Sequence, residues 1–253
     1  MYYYIMETAG KKISDQEKIK DILGNLGIAG ETVSPSPART IEELANLGIV
    51  KGYSTIVAIG SEKIVNKVVT ALINQSIDKD VALGVIPDSY NSNLAKRLGV
   101  IDLIDACQAL KSRKLETIDA CAVSPNKYFL TEATIETSRP NEIYMTLDST
   151  QAGLPFHRIT LKPGLVIEVE DWAKKESFFT NLLNKILKKQ VDQKDIFSSF
   201  FKSDTVRFDS PKGTLSLIAD GEIIAKTPII AQNLPKALKI ITKRDTISTK
   251  ETV

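Results

Sequence analysis

Apolar positions along the first half of the chain switch repeatedly between a period of two and a period near 3.6. The clearest switch lies in Ser54–Asn74. Thr55, Ile56, Val57, Ala58 and Ile59 form a β-branched and small apolar run that stops at Gly60. A polar turn, Ser61-Glu62-Lys63, follows, and then Ile64, Val65, Val68, Val69, Leu72 and Ile73 recur at helical spacing. The pattern predicts a buried strand, a tight turn and an amphipathic helix packed back onto the sheet. A turn of this kind sets free backbone N–H groups and the positive end of a helix dipole at the carboxyl end of a strand, where phosphates bind.

The same alternation continues on both sides. Tyr2–Met6 reads as a first strand. Ser14 and Glu17 have the spacing of a capping box ahead of a helix through Ile19, Ile22, Leu23 and Leu26, which Gly27 ends. Glu31–Ser36 is a short polar strand, and Thr40 with Glu43 opens a helix through Ile41, Leu44 and Leu47. Val81–Pro87 is a second buried strand, followed by short helices over Leu94–Leu98 and Asp102–Leu110. Strands alternating with helices imply an α/β domain, Rossmann-like, with a mainly parallel sheet.

Near Lys111–Leu115 the texture changes to short alternating segments: Tyr128–Thr134, Ile143–Asp148, His157–Leu161, Leu165–Val169, Thr205–Phe208, Thr214–Ile218, Glu222–Lys226 and Ala237–Thr242. Turn residues such as Pro163-Gly164 and Asp220-Gly221 separate many of them. This predicts a C-terminal antiparallel β-sandwich. The expected organisation is an α/β nucleotide-binding-type domain over 1–113 and a β-sandwich over 114–253, with a helical insert at 172–190.

Composition narrows the class only a little. The 253 residues are 43% hydrophobic and 25% charged, ordinary for a globular protein, and the net charge of +2 gives no reason to expect a nucleic-acid partner. Cys107 and Cys121 sit in apolar segments without metal-ligand spacing, so buried free thiols are expected. A lone His157 cannot make a histidine metal cluster. No apolar run approaches the roughly 20 residues that span a bilayer, and the expected location is cytoplasmic.

The central turn resembles the G-G-D-G-T-x-N-E-V-V segment of the diacylglycerol kinase catalytic domain, in the superfamily that also holds the NAD kinases. Gly60 matches its first glycine, Glu62 stands at its aspartate and Asn66 at its asparagine, while Ser61, Lys63 and Ile64 depart from it. Val85–Gly99 resembles a second motif, I-P-x-G-T-x-N-D-F-A-R-x-L-G. Pro87, Ser92, Asn93, Ala95, Lys96, Leu98 and Gly99 fall on its proline, asparagine, aspartate, alanine, arginine, leucine and glycine, and Tyr90 takes the threonine position. Asp220-Gly221-Glu222, followed by Thr227-Pro228, resembles a third. The family's opening N-P-x-x-G is replaced by Glu7-Thr8-Ala9-Gly10.

The resemblance implies a divergent lipid kinase that uses ATP and Mg²⁺ to phosphorylate a diacylglycerol-like hydroxyl. It places nucleotide contacts at Ser34, Gly60, Ser61, Glu62, Lys63, Asn66, Tyr90, Ser92 and Asn93, and catalytic carboxylates at Glu222, the acceptor's base, and Glu62. Two alternatives stay open: a pseudokinase that holds a nucleotide or lipid without turnover, and NAD-kinase-like action on a soluble acceptor. Local structure offers simpler roles for the same residues. Ser61 would cap a helix, Glu62 would complement its dipole, an Asn would cap the helix after Pro87, and Asp220-Gly221 would be a hairpin turn. The insert Trp172–Phe201 carries Phe179, Leu182, Leu183, Ile186 and Leu187 beside Lys174, Lys175, Lys185, Lys188 and Lys189. It reads either as a helix covering the sandwich or as one lying on an anionic membrane, which would make the protein peripheral to a lipid surface. The oligomeric state is open, a homodimer included.

Overall fold

The computed structural model describes residues 1–7, 13–75, 80–172, 196–219 and 221–243. The chain forms two compact units: Met1–Thr131 with the chain from Asn233 onward, and Glu132–Gln232. The first boundary between these units follows Thr131.

The first unit contains β1 (Tyr2–Met6), α1 (Ile13–Asn25), β2 (Glu31–Val33), α2 (Ile41–Val50), β3 (Thr55–Gly60), α3 (Glu62–Gln75), β4 (Ala82–Pro87), α4 (Asn93–Leu98), α5 (Leu103–Ser112), β5 (Leu115–Val123) and β6 (Lys127–Phe129). Strand β14 (Ile229–Ile241) begins in the second unit and ends in the first. Strand β1 pairs in parallel with β2 on one edge and β3 on the other, β3 with β4, and β4 with Lys239 and Ile240 of β14. The parallel order is thus β2-β1-β3-β4-β14. Strands β3 and β4 are buried along their whole length, as a sheet covered on both faces requires.

Helix α3 buries Ile64, Val65, Val68, Val69, Ala71 and Leu72 on one stripe, as its spacing predicts. The Thr40–Glu43 capping box is present: Glu43 N donates to Thr40 Oγ1 at 3.2 Å and Thr40 N to Glu43 Oε2 at 2.7 Å. Helix α1 starts at Ile13, so Ser14 lies within its first turn rather than ahead of it. Cys107 and Cys121 are buried thiols outside any disulfide, and burial pushes the Cys107 thiol up to about 11.

The second unit is antiparallel throughout its described strands. It holds β7 (Ala133–Leu147), β8 (Thr150–Lys162), β9 (Val166–Trp172), β10 (Ile196–Lys202), β11 (Thr205–Asp209), β12 (Ser216–Ala219), β13 (Glu222–Lys226) and the start of β14. Strand β8 runs along β7 from Leu147↔Thr150 to Ala133↔Leu161, with a register shift between Glu136 and Asn141. Strand β9 pairs with β8 and β10, while β7 also meets β11 near its end and β12 near its start. Strands expected at Tyr128–Thr134 and Ile143–Asp148 are instead β6 and one long β7. Trp172 closes β9 opposite Ile196, so both ends of the predicted insert Trp172–Phe201 are strand, in β9 and β10, and not helix; residues 173–195, with its stripe and lysines, lie outside the described residues.

Candidate functional site

From β1 the chain crosses to β2 on one side, and β3 lies on the other, so the carboxyl ends of β1 and β3 flank a topological switch point. Open α/β sheets bind ligands in that crevice. Gly60 ends β3, and Glu7 follows β1 directly. Glu7 N donates to Ile59 O at 2.9 Å, which extends the β1–β3 ladder by one step and fixes where the Glu7 side chain starts.

Its carboxylate spans the crevice. Glu7 Oε2 accepts from Ser61 N at 3.0 Å and from Ser61 Oγ at 2.8 Å. Gly60 makes the approach feasible: at φ +151° it adopts a backbone that side-chain-bearing residues rarely take, and a Cβ there would lie 2.6 Å from Glu7 Oε2 and 2.8 Å from Glu7 Cβ. Ser61 O accepts from Ile64 N and Val65 N at 3.1 and 3.3 Å, so Ser61 does flank the start of α3 through its backbone. Its hydroxyl, however, is turned to Glu7 and not to the free amides of the helix.

The second loop meets the first at two points. Asp88 N donates to Gly60 O at 3.0 Å, and Leu94 N donates to Glu62 Oε1 at 3.3 Å. The Glu62 carboxylate therefore ties the first turn of α3 to the first turn of α4. Ser92, and not an asparagine, is the cap of α4: its hydroxyl accepts from Ala95 N at 3.1 Å, while Asn93 is the first helical residue and is exposed. Gly99 closes the helix in the left-handed conformation, φ 75°. Tyr90 is half-buried and packs on the core of the first unit; burial pushes its phenol up to about 12.

No family model matches the sequence, and no curated protein matches it. Solved structures do. A crystal structure of a provisionally named diacylglycerol kinase from Bacillus anthracis str. Sterne superposes with a TM-score of 0.72 at 13% identity, covering 95% of this chain and 96% of that one. A second, named as a diacylglycerol kinase from the same organism, gives 0.68 at 12% identity over the same shares. The chain has the fold of a diacylglycerol kinase.

Within that diacylglycerol kinase fold, the residues singled out in the sequence fall into four groups. Gly60, Ser61, Glu62, Tyr90, Ser92 and Asn93 lie on the two loops that touch through Asp88 and Leu94. Lys63 and Asn66 lie on the first turns of α3, and Asn66 O accepts from Thr70 Oγ1 at 2.8 Å. Ser34 follows β2, exposed, at the same carboxyl edge of the sheet. Glu222 belongs to the second unit, where it opens β13 in register with Ala219. The predicted hairpin is thus present, with Gly221 at φ 76°.

Among the described residues no three His, Cys, Asp or Glu side chains converge into a metal site. Mg²⁺ does not require such a cage, since it commonly binds through one or two carboxylates together with nucleotide phosphates. Glu62 is the carboxylate at the turn that fits this role, since only its Oε1 is engaged, by Leu94 N. The space at Gly60–Ser61 is taken by the Glu7 carboxylate. Glu7 escaped the motif comparison because it stands where the family pattern has another residue. The available signal was an acidic side chain at the carboxyl end of the first strand. No helix among the described residues is long and apolar enough to cross a membrane.

Proposed function

We propose that this is a lipid-kinase-like protein, in which the Gly60–Asn66 turn receives the phosphates of ATP with Mg²⁺ and a lipid hydroxyl is the acceptor. The observation that carries the reading is the glycine turn at the β1/β3 switch point, within a fold shared with diacylglycerol kinases over nearly the whole of both chains. Phosphoryl transfer asks a protein mainly to position reactants and neutralise charge. The turn would hold the nucleotide, and Glu222 would take the proton of the attacking hydroxyl. Calorimetry of ATP binding with and without Mg²⁺ tests the first half. Saturable, metal-dependent binding is expected, with a rise of about 2.7 kcal/mol in stability at roughly 100 times Kd. No binding at millimolar ATP would sink the nucleotide reading.

A second reading, a binding module without turnover, draws support from the Glu7–Ser61 contact and from Asn93. The first sets a negative charge at the turn, and the second lacks the charge of the motif's aspartate. Nucleotide binding together with no transfer to any lipid acceptor would favour it.

A further inference from the structure

We infer that Glu7 is an internal stand-in for an anionic ligand, and that phosphate groups enter the crevice only when its carboxylate leaves Ser61. The inference rests on the nucleotide reading above and concerns the same turn. Two observations on the turn itself carry it. First, a single oxygen, Glu7 Oε2, takes both donors that Ser61 offers, the backbone amide at 3.0 Å and the hydroxyl at 2.8 Å. Second, the space that Gly60 leaves by lacking a side chain is filled by Glu7, whose Oε2 and Cβ lie 2.6 and 2.8 Å from where a Cβ would stand.

A helix start with a glycine beside it is open to any anion of suitable size. Here the opening is taken by the chain's own carboxylate. A phosphate cannot share the two Ser61 donors with Glu7, since like charges at hydrogen-bond range repel and the donors are already used. An incoming anion must therefore displace Glu7, and its apparent affinity is lowered by the fraction of molecules in which Glu7 remains in place.

Calorimetry of the full chain with MgATP and, separately, with inorganic tripolyphosphate tests this on the wild type, Glu7→Gln and Ser61→Gly. Glu7→Gln keeps the shape and an acceptor but removes the charge, and Ser61→Gly removes the hydroxyl donor that helps hold Glu7. Glu7→Gln should tighten both ligands by about 10-fold or more, equivalent to about 1.4 kcal/mol, with a smaller gain for Ser61→Gly. If Glu7→Gln does not melt cooperatively, Ser61→Gly decides alone. Equal MgATP affinity in all three proteins overturns the role of Glu7 and leaves the nucleotide reading standing. Tighter tripolyphosphate without any MgATP binding supports the role of Glu7 and removes the nucleotide reading. No binding of either ligand to any of the three overturns both.

Discussion

The phenol of Tyr90 is half-buried against the core of the first unit, and burial, ahead of the nearby Cys107, Asp102 and Asp88, pushes it up to about 12. In the unfolded chain a tyrosine ionises near pH 10. Between those values the unfolded state gives up a proton that the folded state keeps, so this contribution is fully present below about pH 10 and lost as pH rises through about 12. Tyr2, Tyr3, Tyr4 and Tyr53 are raised as well, and Cys107 to about 11, so the whole chain should weaken in alkali. Urea unfolding between pH 8 and 11 should show stability falling with pH, less steeply in Tyr90→Phe; an unchanged slope would mean that Tyr90 keeps its phenol accessible. A second single-residue effect lies at Thr40, whose hydroxyl and backbone both take part in the box with Glu43. Thr40→Ala should lower stability by about 1 kcal/mol, read as a drop in melting temperature, and nucleotide binding should not change.

Helix α2 is held against the sheet through Gly48, a residue that a helix would ordinarily disfavour. An alanine there would improve helix propensity by about 1 kcal/mol. Its Cβ, however, would stand 2.7 Å from both Ile56 Cδ1 and Tyr3 Cδ1, side chains of β3 and β1 that are 0% exposed and have nowhere to move. Overpacking should win, and Gly48→Ala should be destabilising by about 1–2 kcal/mol in chemical denaturation, against a gain if α2 could shift outward. The elements that sequence periodicity located well, β3, α3 and β4, are those with one environment along their length: wholly buried strands, or a helix with a single apolar stripe. Strand β7 was less legible: only its first two residues and Ile143–Leu147 fall within the expected segments, and its register against β8 shifts between Glu136 and Asn141. Strand β5 escaped because its buried residues include small Ala120 and Cys121 while Leu115 is 39% exposed, a weak contrast between its faces.

At the scale of the molecule, what local pattern misses is the long-range pairing. Strand β14 returns to the first unit to lie beside Ala82 and Leu83, so no composition change near Arg113 could mark where that unit ends. The site divides in the same way. The turn after β3 was legible as a strand–turn–helix joint, whereas its contact with Glu7 joins residues 54 positions apart and needs the strand order to be seen. Glu222 offers the test that separates catalysis from binding. It opens β13 at a partly exposed position in register with Ala219, and the change to glutamine alters its charge but hardly its size. Glu222→Gln should therefore fold as the wild type does and bind MgATP with unchanged affinity. In an enzyme that uses this carboxylate as a base, labelled phosphate transfer from ATP to diacylglycerol in mixed micelles should fall by about 100-fold or more. Transfer that survives the change would take the base role from Glu222 while leaving the kinase intact. A wild type that binds MgATP but transfers nothing to any lipid would mean that the fold has kept the nucleotide and lost the reaction.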